Sequence, residues 1–254
     1  LPETKVIPGG HSLGVKLRPE GVIVVGFASV IDENGIKQYP SKEAGIEIGD
    51  SIYMINHQRI NQSEDMSMLL NELKNENITL TLKRNGTSIE LAANPVKTRQ
   101  GHYQLGLWVK DIAAGVGTLS FFDPSSGCYG ALGHIISDAD TGKAIEVGQG
   151  EIIRSKITSI IPGKKNQPGE KRGVFINEER IIGNILENTP LGIFGQILVP
   201  VENPKYPLIP IAVASQVHEG NATILTVVEG EVIQEFNIEI QKVTLNEISQ
   251  LQKI

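Results

Sequence analysis

The sequence predicts a mainly β protein in two blocks: an α+β block over residues 6–97, then an antiparallel all-β barrel or sandwich over residues 100–254. Three observations carry this. With 254 residues, 40% of them hydrophobic and 20% charged, the chain has the balance of a globular protein with room for two domains. The first block holds one strong helical period, with Met66, Leu69, Leu70 and Leu73 at i, i+3, i+4 and i+7. From Gln100 onward short apolar runs are punctuated by Gly, Pro and Asn, and no long amphipathic period recurs.

Taken in order, "VIVVGF" (22–27) is a buried strand by its β-branched run. "SKEAGIEIGD" (41–50) predicts a short helical turn stopped by Gly45, with Asp50 after a glycine turn, and "SIYMIN" follows as a strand. The helix over 63–74 has Ser63 as its expected N-cap. "ITLTLKRNGTSIEL" (78–91) alternates apolar residues about Asn85-Gly86, the signal of a hairpin with a type I′ turn. "NPVK" (94–97) makes the boundary. Beyond it "YQLGLWVKD", "GTLSFFDP", "CYGALGHII", "KITSII", "GIFGQILVP", "IPIAVASQV", "ATILTVV" and "EFNIEIQKV" are expected strands of the second block. A weak helical stretch, "LNEISQLQKI", comes last.

Composition excludes several classes. A net charge of −6 argues against nucleic acid as the main partner. The basic stretch 162–173 has the Gly and Pro spacing of an exposed loop, and no Gly-Lys-Ser/Thr ends it, so it fails as a phosphate loop. A single cysteine, Cys128, rules out an internal disulfide and a multi-cysteine metal site. His11, His57, His102 and His218 have no metal-ligand spacing with carboxylates. Asp138, Asp140 and Gly142 suggest a calcium loop, but Lys143 stands where its sixth-position glycine belongs, and a turn between strands accounts for them. No cofactor or metal is expected. No apolar run approaches the length of a membrane span, and the start at Leu1 rather than Met is consistent with removal of a signal or anchor.

The order "HSLGVKL", "VIVVGF", "AGIEIGDSIYMINHQRI" resembles the bacterial PDZ domain, with Ala44-Gly45-Ile46, Gly49-Asp50, Ile52 and Ile55-Asn56 as its signature. The resemblance implies that the loop Ser12, Leu13, Gly14 and Val15 offers backbone N–H groups to a peptide carboxylate or carbonyl. The peptide would then add as a strand beside Val15 to Leu17, against the helix 63–74. The other reading is a PDZ fold kept as a spacer.

In the second block the chemistry centres on His134. An imidazole can serve as a general base near neutral pH, but it needs a nucleophile in reach. If "CYGALGH" is one extended strand, Cys128 lies about 20 Å away. Cys128 is then a small buried or edge residue. "AAGVGTLSFFDPSSGCYGALGHIISDADTG", with "PGEKRGVF" and "NTPLGIFG", resembles the sporulation signalling peptidase (stage IV sporulation protein B) family of spore-forming Firmicutes, over essentially the whole chain. The resemblance implies a trypsin-like β-barrel serine endopeptidase in which His134, in Ala-Leu-Gly-His, is the general base.

The resemblance implies more. Such a peptidase is exported and anchored through an N-terminal membrane segment absent here. It acts between the forespore and mother-cell membranes, cutting itself and a membrane-bound regulator of an intramembrane metalloprotease that processes a sigma-factor precursor. The PDZ partner is a peptide or protein, the enzyme's own N-terminal segment among the possibilities. The family's nucleophile lies in a Gly-Met-Ser-Gly-Ser-Pro run that these residues lack, so the barrel is expected to be incomplete at its C-terminus and the chain by itself inactive. An incomplete barrel is expected to recruit a partner strand or to swap segments. The alternative is a non-catalytic PDZ-based scaffold with a degenerate barrel.

Overall fold

A computed structural model describes residues 4–74, 77–164, 169–199, 203, 206 and 208–243; the expected terminal helical stretch 245–254 lies outside them. The chain is mainly β and forms two compact units, neither of them a single run of sequence. One is built from residues 16–114 and 136–150, the other from 1–15, 115–135 and 151–254. The compact units therefore do not follow the expected division between residues 97 and 100.

The first of these is the α+β unit. Its antiparallel sheet runs in the order Leu107–Lys110, Val22–Phe27, Ser51–Ile55, Ile78–Arg84, Thr87–Ala93, with Gln58–Arg59 also on Ser51–Ile55. The predicted hairpin pairs Arg84 with Thr87, and Asn85 (φ 51) and Gly86 (φ 78) take the two left-handed positions of a type I′ turn. The four-residue helix α1 (Pro40–Glu43) is followed by Gly45 at φ 76, as the glycine signal predicted. Helix α2 (Ser63–Leu73) buries Met66, Leu69 and Leu70, and Lys74 ends it in the left-handed conformation. Its cap is Gln62 rather than Ser63, because Asp65 returns a carboxylate to the Gln62 N–H in a reciprocal box.

The core of this unit joins Val22, Val24, Ile52, Ile55, Ile78, Leu80 and Leu82 from the sheet to the helix and to Leu105, with Tyr103, Leu107 and Val109 packed against it. Asp50 is fully buried just before the Ser51–Ile55 strand. Both its oxygens accept from Arg84, at 2.8 and 2.7 Å, and the Glu47 N–H donates at 2.8 Å. Those bonds replace the water a buried carboxylate loses.

The second unit is a curled half-barrel sheet. Its path is Glu170–Asn184, Gln149–Ile161, Ser12–Arg18, Ala113–Phe122, Cys128–Ala131, Gly192–Gln196, Glu187–Thr189. A separate hairpin pairs Gly220–Val227 with Ile233–Ile240. Leu13, Leu119, Tyr129, Ile152, Ile153 and Ile193 are buried in this unit at 2% exposure or less. The Tyr129 hydroxyl donates to the Asn184 carbonyl at 2.8 Å, and burial pushes its phenol pKa upward. Two expected strands are cut short. The run 128–136 stops at Ala131, and 209–217 yields only Ile209–Pro210 before the 3-10 turn Ala214–Gln216.

Candidate functional site

His134 stands at a sharp exit from the Cys128–Ala131 strand. The Gly133 N–H donates back to the Ala131 carbonyl at 3.2 Å, closing a three-residue turn centred on Leu132 at φ 77. A leucine held there is strained, and such backbone concentrates at functional sites. Two contacts hold it. The Leu132 N–H donates to the Thr118 carbonyl at 3.0 Å, and Gly192 packs so close that a Cβ on it would lie 2.2 Å from the Ala131 oxygen. The turn throws the next side chain out of the sheet, and His134 is exposed.

The ring's orientation has a chemical consequence. Nδ1 lies 3.0 Å from the Ile135 carbonyl oxygen, which can only accept, so Nδ1 carries the proton in that bond. The neutral ring then presents its lone pair at Nε2, the tautomer a general base needs. Among the described residues no carboxylate bonds this ring. Cys128 is exposed at the start of the strand rather than buried, with its N–H on the Ser126 hydroxyl at 3.2 Å. Asp138 and Asp140 shape a turn: Asp138 Oδ1 accepts from the N–H groups of Asp140 (3.1 Å) and Thr141 (2.8 Å), and Gly142 sits at φ 67. Among the described residues no cluster of His, Cys, Asp and Glu is arranged to hold a metal ion.

The structure places the expected peptide loop within a strand. Ser12, Leu13, Gly14 and Val15 all lie in the Ser12–Arg18 strand, buried, with Gln149–Ile161 on one side and Ala113–Phe122 on the other. Ser12 shares a 2.6 Å hydroxyl–hydroxyl bond with Ser155, and a Cβ on Gly14 would meet Ile153 and Phe175 at 2.7 Å. No edge is left for a peptide strand there.

A groove of about 260 Å³ opens instead inside the α+β unit. Helix α2 forms one wall with Ser63, Met66, Ser67 and Leu70, and residues 103–109 form the other. Leu107–Lys110 is the terminal strand of its sheet, so its outer edge faces this groove. At its start, the Leu105 carbonyl accepts from the Ser41 N–H (3.2 Å), and the Gly106 carbonyl accepts from the Ala28 N–H (2.8 Å) and Ser41 hydroxyl (3.1 Å). In a trans peptide the N–H points opposite to the carbonyl, so the Gly106 and Leu107 N–H groups are turned away from these partners. Gly106 has φ 67, and a Cβ there would lie 2.3 Å from the Ala28 oxygen, so glycine is required. Asp111 ties the strand to the helix start, accepting from the Ser63 N–H and hydroxyl at 3.0 Å each. The run "QLGLW" at 104–108 belongs to the compact unit 16–114, although it follows the 94–97 boundary in sequence.

An open strand edge beside a helix, with a Leu-Gly-Leu loop at its mouth, defines a PDZ module, here in one chain with a β-sheet carrying an outward-facing histidine. Comparison with known families agrees with both parts. Residues 12–94 match the PDZ domain, and residues 101–254 match the SpoIVB peptidase S55 family. The chain belongs to that family, and it is a sporulation serine peptidase carrying a PDZ domain. No curated protein matches it. The matched segments and the compact units differ instructively: the strand that opens the PDZ match lies in the half-barrel sheet, and the groove strand comes from within the peptidase match.

Proposed function

We propose that His134 is the general base of a serine endopeptidase and that the groove between α2 and Leu107–Lys110 binds the peptide that targets or restrains it. The observation that carries this is the exposed imidazole with Nδ1 committed to a carbonyl and Nε2 left to accept. Nε2 takes the serine proton as the hydroxyl attacks the scissile carbonyl. The Ile135 carbonyl steadies the imidazolium, and the same proton then passes to the leaving amine. The serine is not among these 254 residues in the family's Gly-Met-Ser-Gly-Ser-Pro form, so the reaction belongs to a protein that includes that run, and the chain by itself is inactive. The finer reading, supported by family membership, is self-cleavage and cleavage of a membrane-bound regulator, outside the cytoplasm between forespore and mother cell.

His134→Ala in protein carrying the serine run is expected to lower self-cleavage on the order of 10⁶-fold while circular dichroism stays unchanged. Self-cleavage at an undiminished rate overturns the assignment.

A further inference from the structure

Two features of the α+β unit meet at one lysine. Leu107–Lys110 is the groove strand, and Lys110 is its last residue. Lys110 Nζ bonds Asp140 and lies 3.6 Å from Asp138 Oδ2. Those aspartates belong to a small hairpin, 136–145, closed by the Ser137–Ala144 bridge and by the Ile145 N–H to Ile136 carbonyl bond at 3.1 Å. The hairpin begins two residues after His134.

The far arm of this hairpin is fixed to parts of the unit remote from the groove. Lys143 reaches Asn85 (3.3 Å), Glu146 reaches Lys83 (2.9 Å), and the Gly148 N–H donates to the Arg18 carbonyl (2.9 Å). The near arm, which leads directly from the histidine, is gripped by Lys110. Asp138 is 6% exposed. Burial opposes its charge, yet bonds from Thr141 and Asp140 and the Lys110 cation together hold its pKa below the ordinary value. A carboxylate so enclosed follows its counter-charge, because leaving it uncompensated is costly.

The strand has a place to yield. Its pairing with Val22–Phe27 slips between Trp108 and Val109, a bulge within the groove-lining strand one residue before Lys110. A peptide adding to the outer edge pairs with the backbone that carries the bulge. It therefore favours one setting of the bulge over another, which is the differential interaction a coupled change requires.

We propose that Lys110 is a positioning residue for His134, transmitting occupancy of the groove to the imidazole through Asp138 and Asp140. This rests on the groove and general-base readings above.

The test uses residues 1–254 and a short peptide ending in Leu-Val with a free carboxylate, read by hydrogen exchange and by the His134 imidazole NMR signals. Saturating peptide is expected to protect 104–110, change exchange across 136–145 and shift the His134 signals. Lys110→Met is expected to keep the protection at 104–110 and lose the other two responses, and Lys110→Arg to restore them. Asp140→Asn cuts the same link from its exposed end and is expected to weaken both. Binding with no response at 134–145, or the same response in Lys110→Met, overturns the coupling while leaving both parent readings intact. Absence of binding overturns it together with the groove reading but not the role of His134, which the self-cleavage experiment decides separately.

Discussion

At Asp123, just past the Ala113–Phe122 strand, one carboxylate gathers the turn that leads to Cys128. Oδ1 accepts from the Ser125 hydroxyl (2.6 Å) and N–H (2.9 Å), and Oδ2 from the Ser126 hydroxyl (2.7 Å). Led by the Ser125 hydroxyl, then Ser126, these donors lower its pKa from 3.8 to about 2. A depressed folded pKa stabilises the fold above the unfolded value and loses that contribution as pH falls through the folded one. Asp123→Asn is therefore expected to lower stability at about pH 5, with the deficit shrinking toward about pH 2, measured by urea unfolding. A deficit independent of pH would refute the charge argument. The distinctive Ala-Leu-Gly-His run is what draws attention to His134 in the sequence, and the structure shows that residue exposed past the end of its strand. The turn that aims it was only half legible: Gly133 signalled a break, but nothing in the sequence placed a leucine at φ 77, since that conformation is imposed by Thr118 and Gly192 from distant strands.

Among elements, the groove strand shows why a local signal can be right in kind and wrong in place. Ser12-Leu13-Gly14-Val15 and Gln104-Leu105-Gly106-Leu107 both read as a glycine-opened strand. Alternation fixes which face of a strand is apolar, but it does not fix which sheet receives the strand. The deciding facts are nonlocal: Ser12 meets Ser155 across 143 residues, while Leu105 is 2% exposed in the core beside α2. By contrast the 78–91 hairpin and the helix were legible because their signals are local. The two glycine strands now make opposite predictions. Gly14→Val forces two branched-carbon contacts into Ile153 and Phe175 and is expected to destabilise the half-barrel by about 1–3 kcal/mol without changing peptide affinity. Ser67→Phe, at an exposed position on the groove wall, is expected to fill the groove and weaken peptide binding at least about tenfold with stability unchanged. Calorimetry and urea unfolding on both variants check this, and the reverse pattern would restore the N-terminal loop as the binding site.

For the whole molecule, the consequence lies in how the chain is threaded. The α+β unit does not end at the Asn94-Pro95 boundary that composition suggested. It takes its outer strand and Leu105 from beyond Lys97, and residues 136–150 from further still. That threading was not legible because a Pro-containing boundary marks a turn, whether or not the chain afterwards leaves the domain. Leu105 is in the core cluster itself, and Tyr103, Leu107 and Val109 pack on it, so cutting at 97 strips one side of α2. Each fully buried apolar side chain is worth about 1.5–3 kcal/mol, and a lone domain of this size has only about 5–15 kcal/mol to lose. Residues 16–114 are thus expected to unfold cooperatively in urea, whereas residues 16–97 are expected to show a broad transition at lower urea and poorly dispersed amide NMR signals. The groove should go with the strand: peptide binding is expected in the longer fragment and absent from the shorter. Equal stability of the two fragments would mean that Leu107–Lys110 is an accessory to this unit, and the PDZ groove would have to be sought elsewhere in the chain.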